Sequence, residues 1–280
     1  MEISLAEERA YYYNAQFNPD VARDRVEQKK VQLMAGTMSS LFGQTKPEDI
    51  RFVGMENRFE PCWLVTISSR TIYDRSRKYS VPVSGLEVNS VSILGQELPV
   101  ETKDKTSSFN LEAIEHCQQS IGISRAFVGM QGAPTDPEKY NPFAKTLIPD
   151  LNTFAPEGVL VVLPQLRASA VARQVIGEVL RPVQNAHTIH EERVDVETLD
   201  LNFLPVYAFE YERISKGKRS VIEFNALTGE INSGGSKLQD QFKGIVTRDL
   251  IFDITADAVG MLVPGGSIAV KLVKAVVDQK

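Results

Sequence analysis

His187, His190 and Glu191 are the densest set of side chains able to hold a metal or move a proton. On a helix the i, i+3, i+4 spacing would put all three on one face, offering two imidazoles and a carboxylate to an ion such as zinc. The segment follows Pro182, however, and leads into an alternating run. It therefore reads as the entrance to a strand, which separates the three, and they stand only as weak metal candidates. His116 is far off in sequence, and Cys62 and Cys117 sit at unrelated spacing. No disulfide framework follows from such a pair, and a reducing cytoplasmic setting is expected. A serine nucleophile needs a sharp glycine turn, and Gly-x-Ser-x-Gly is absent. Residues 260–267 have the outline of a phosphate loop, but Gly266 stands where that motif needs its lysine. No catalytic set and no cofactor site emerges.

What remains is chemistry suited to binding protein. Tyr11, Tyr12 and Tyr13 are adjacent and cannot all face one way, and tyrosine suits half-wet contacts with another element or chain. Arg75 and Arg77 cluster at one predicted turn, Lys216 and Lys218 at another. Asp249, Asp253 and Asp257 recur every four residues, a mildly unfavourable like-charge ladder on a helix. It calls for a basic neighbour, and Arg70, Arg75, Arg77 and Lys78, or Lys216, Lys218 and Arg219, are the candidates.

The elements that position these residues are organised around 203–231. Tyr207, Phe209 and Tyr211 alternate with Val206, Ala208, Glu210 and Glu212, the period of a half-buried strand. A turn through Gly217 and a return strand to Phe224 follow, and a second turn closes at Gly229. Phe59-Glu-Pro61-Cys-Trp63 echoes Phe203-Leu-Pro205-Val-Tyr207, and Lys78-Tyr-Ser80-Val81 echoes Lys218-Arg-Ser220-Val221. Pro, aromatic, Lys and Gly in one order predict a duplicated unit. Helices are expected over residues 3–13, from Pro19 behind an Asn18 cap to Leu41, from Ser108 to Ile121, and from Pro164 to Leu180. Two more are expected after Thr247. The predicted fold is α+β: two tandem helix-plus-antiparallel-sheet units with C-terminal helices. Residues 1–128 form the first unit, 129–158 a proline-rich linker, 159–244 the second unit and 245–280 a helical segment.

At 42% hydrophobic and 24% charged residues the chain can bury a proper core without staples. A net charge of −5 argues against nucleic acid as a partner. The first residues lack a basic and an apolar signal region, and no window of eighteen uncharged apolar residues exists.

Residues 203–211 and 225–230, with Phe252-Asp-Ile and Val263-Pro-Gly-Gly-Ser-Ile-Ala269, resemble segments of an uncharacterised bacterial protein family, some of whose members carry a zinc ribbon. The strand–turn–strand ending in Thr228-Gly-Glu230 is similar, more loosely, to PepSY-like and cystatin-like modules, in which a sheet curls on a helix. The resemblance covers about a quarter of the chain. It implies no zinc role, because no cysteine pair is present, and it carries over no catalytic residue. The expected function is a non-enzymatic binding or assembly module acting on a protein partner or on itself. The alternatives are a hydrolase with its site in the groove between the two units, and a peripheral membrane protein anchored by the C-terminal helices.

Overall fold

The computed structural model describes residues 1–35, 46–235, 248–253 and 271–274. Strand dominates, and this corrects the α+β expectation. In place of two tandem helix-plus-sheet units there is one large curled sheet, with three α-helices among the described residues. The strands are β1 (Glu2–Leu5), β2 (Arg9–Tyr13), β3 (Ile50–Val83), β4 (Ser90–Ile93), β5 (Gln96–Lys103), β6 (Thr106–Val128), β7 (Ala133–Thr135), β8 (Lys145–Leu147), β9 (Leu160–Val161), β10 (Thr188–Arg213), β11 (Lys218–Asn225), β12 (Ile231–Gly235) and β13 (Lys271–Lys274). The helices are α1 (Pro19–Ala35), α2 (Ala168–Val179) and α3 (Arg248–Ile251).

The main path runs β12-β11-β10-β3-β6-β5-β4. β10 has β3 along one edge and β1, β2 and β11 in turn along the other. The helices expected over 3–13 and 108–121 are strands instead. Residues 111–125 carry a strict exposed/half-buried alternation, the period-two signature that a helical reading overlooks. The helix-to-Leu41 boundary, Asp257 and most of the C-terminal segment lie outside the described residues; Lys271–Lys274, within the last expected helix, is strand β13, paired with β1.

The echo between the two halves has a different meaning from the one expected. Phe59 pairs with Pro205 and Pro61 with Phe203, so the matched segments are direct antiparallel neighbours. They are related by a local two-fold about the Glu60/Leu204 pair. Trp63 Nε1 donates to the Leu166 carbonyl at 2.9 Å, two residues before α2. Tyr207 OH donates to the Phe17 carbonyl at 2.9 Å, two residues before α1. Each aromatic thus ties one helix entrance to the same sheet. Beyond that the surroundings differ: the Trp63 ring lies edge-on to Phe252 at 5.4 Å, whereas Tyr207 packs in the cluster under α1.

Ala168, Val171, Ala172, Val175, Ile176 and Val179 recur at helical spacing and are all buried, giving α2 one apolar stripe. The stripe covers Trp63, Val65, Leu199, Leu201 and Phe203, which share one sheet face. α1 covers Tyr207, Phe209, Tyr211, Ile222 and Phe224. Its start is as expected: Asn18 Oδ1 accepts from Val21 N at 2.9 Å. On the opposite face Tyr13, Cys62, Ala126, Tyr140, Leu204 and Leu227 form a third, smaller cluster. Each fully buried aliphatic side chain contributes roughly 1.5–3 kcal/mol, so these clusters hold the body of the sheet.

Candidate functional site

β3 and β6 pair without interruption from Cys62/Val128 to Val83/Ser107. β10 covers the outer edge of β3 only as far as Asp74. From residue 75 on, the two strands leave the body as a ribbon that runs about 30 Å, at 3.3 Å per residue, to the tip where β4 and β5 join. Most ribbon side chains are exposed or half-buried, including Tyr79, Leu86, Leu94 and Ile114 among the large apolar ones. A two-stranded ribbon of this kind gains little from core burial.

Arg75 and Arg77, two of the expected partner-binding residues, lie on this ribbon rather than at a turn. Arg75 Nε and Tyr79 OH both donate to Glu115, and Arg77 Nη1 lies 3.6 Å from the same carboxylate. The Tyr79 hydrogen bond, then that of Arg75, holds the Glu115 carboxyl below its usual range. The same bond to Glu115 pushes the Tyr79 phenol up.

At the ribbon's root Asp74 is bracketed by two imidazoles from the neighbouring strands. His190 Nε2 lies 2.7 Å from Oδ2, and His116 Nδ1 lies 2.7 Å from Oδ1. These contacts, His190 first, lower the Asp74 carboxyl from its usual range. His187, His190 and Glu191, the weak metal candidates, lie on or beside the start of β10 and are not brought together. His187 offers its backbone N–H to the Asp74 carbonyl, and Glu191 faces Arg70 at 4.0 Å. No group of three His, Cys, Asp or Glu side chains among the described residues has the geometry to hold a metal.

The body of the sheet holds a polar cluster that sequence reasoning missed. The Arg58 side chain is 1% exposed and meets Glu56 at 2.5 Å, Glu223 at 3.3 Å and Glu60 at 3.8 Å. Burial, and secondly the charge of Glu223, pushes Glu60 up to about 7, and Arg58 opposes the shift. Burial also raises Glu223. Glu56, Arg58 and Glu210 line a recess of about 190 Å³. The signal was legible as Glu56-Asn-Arg58-Phe-Glu60, three charges at period two on one strand face.

Each tyrosine of the run meets neighbours within the chain, and Tyr11 and Tyr12 remain half-buried. Tyr12 stacks with Phe154 at 5.5 Å and lies tilted against Phe59 at 5.8 Å. Tyr13 is buried beside Tyr140, and burial pushes its phenol up to about 12. Tyr11 takes the Lys145 ammonium over its ring at 3.9 Å. Lys216 and Lys218 flank Gly217, whose φ of 58° makes the predicted turn, and both are exposed. Asp253 finds a basic neighbour other than those expected: Arg167 at 3.6 Å, together with the Ser169 N–H at 3.0 Å at the start of α2.

Among the described residues no helix is long and apolar enough to cross a membrane. No family model, curated protein or solved structure matches the chain.

Proposed function

We propose that the protein is a non-enzymatic binding or assembly module whose working part is the β3–β6 ribbon. The observation that carries this reading is the contrast between body and ribbon. The body closes three hydrophobic clusters, whereas residues 75–80 and 110–115 stand outside them, exposed or half-buried, with their outer strand edges unpaired among the described residues. Exposed strand edges left unblunted are templates for another chain. The charged groups in reach are bound up with one another, as at Glu115 and Arg58, which suits recognition and positioning more than proton transfer.

The test shortens the ribbon. Residues 76–114 are replaced by Asn-Gly, a turn that closes the Arg75/Glu115 rung in the existing register. The body keeps its clusters and its melting temperature. Intact protein self-associates in light scattering or retains a defined protein in cross-linking, and the shortened form does neither. If intact protein stays monomeric and retains nothing that the shortened form lacks, the reading fails.

A further inference from the structure

The two edges of the ribbon are built differently. The outer edge of β3, residues 75–83, carries Arg75, Arg77, Lys78 and Pro82. Cations and a proline on an edge are the usual devices against strand pairing. The outer edge of β6 has neither Lys nor Pro from Asn110 to Arg125. Among the described residues nothing pairs with it there: β5 reaches only Phe109 and β7 begins only at Ala126. Between those stops lies an open slot of about 50 Å at 3.3 Å per residue.

We propose that this slot accepts one extended segment of a partner protein as an added strand. The slot starts on the ribbon at residues 110–115 and continues along the β6 edge of the body to Arg125, so the inference rests on the ribbon reading and extends it, and it names the partner's chemistry. A second copy's β6 is the wrong shape. It would continue past both stops and run into β5 and β7, so the occupant must be a short strand that leaves the sheet plane at each end.

Its sequence is constrained by what faces it. Glu112 is exposed, and its side chain makes no ion pair or hydrogen bond among the described residues. On the inner edge β3 meets the same acidic strand with cations, Arg75 opposite Glu115 and Lys78 opposite Glu112. On one face, then, the occupant offers a cation towards Glu112 and polar groups towards His116, Gln118 and Ser120. On the other it offers apolar side chains beside Leu111, Ala113, Ile121 and Ile123, and polar or cationic ones beside Glu115, Cys117 and Gln119, which lie between them in the same half-buried row. Main-chain hydrogen bonds supply affinity, and this alternation supplies selectivity.

Hydrogen exchange on intact protein tests it, with a capped peptide of the chain's own residues 71–80 as the probe strand. In free protein, alternate amides of 110–125 exchange fast while those in the β3–β10 body are slow. Added peptide slows the outward amides by about tenfold or more. Replacing the peptide's residues equivalent to Arg75 and Lys78 with Glu abolishes the effect, and the protein variant Glu112→Lys weakens it. The proposal is overturned if the slot amides are already protected in free protein, if the peptide leaves them unchanged, or if the charge-reversed peptide protects equally. Association that is lost on ribbon shortening, with slot exchange unchanged by peptide, would sink the slot and leave the ribbon reading intact.

Discussion

Arg58 brings its charge into the sheet against three carboxylates, and the balance is incomplete. Glu60 keeps its proton up to about pH 7 in the folded protein, against an ordinary value of 4.5. Between those values the folded state binds more protons than the unfolded chain, so stability falls as pH rises through that window. Glu60→Gln removes this slope. The wild type should lose roughly 1–3 kcal/mol from Glu60 between pH 4.5 and 7, and the variant should show a flatter denaturation profile over that range. A wild-type profile with no decline there would contradict the assignment. At this scale the sequence was only partly legible. Cap, turn and strand residues such as Asn18 and Gly217 act locally, so their types announce them. The Arg58 cluster and the Asp74 bracket join residues from different strands, and only the β3–β10 and β3–β6 registers bring them together.

Element by element, α2 and the ribbon differ most. Ile176 is fully buried on the inner face of α2, and Ile114 is 57% exposed on β6. Ile176→Ala should cost about 2–5 kcal/mol, as expected for a truncated core aliphatic. Ile114→Ser should stay within about 0.5 kcal/mol, because no core depends on it. Equal losses in chemical denaturation would mean that the ribbon is packed after all. α2 was legible because its stripe follows helical spacing. Long β3 was not: its residues 74–78 are all charged or polar, a composition that reads as a turn when no partner strand is known. Residues 108–121 read as a helix because a serine sits where a cap would, and the alternation that follows it is set by β3 alongside.

For the whole molecule, the echo between the halves was legible as sequence, but its consequence was not. Two Phe-x-Pro segments can head separate units or pair with each other. The choice depends on long-range pairing that carries no local signature. Pairing them builds one sheet with a helix entrance tied down on each side of the local two-fold. It also leaves β3 and β6 to run on past the body as the ribbon. The most direct test of the ribbon's role places a photo-cross-linking residue at position 114, with a control at position 53 on the exposed side of the body, 38% exposed in the wild type. Position 114 should give an adduct with a second polypeptide, competed by excess intact protein and not by the ribbon-shortened form. Position 53 should give none. Absence of adducts from position 114, or equal adducts from both sites, would contradict the account.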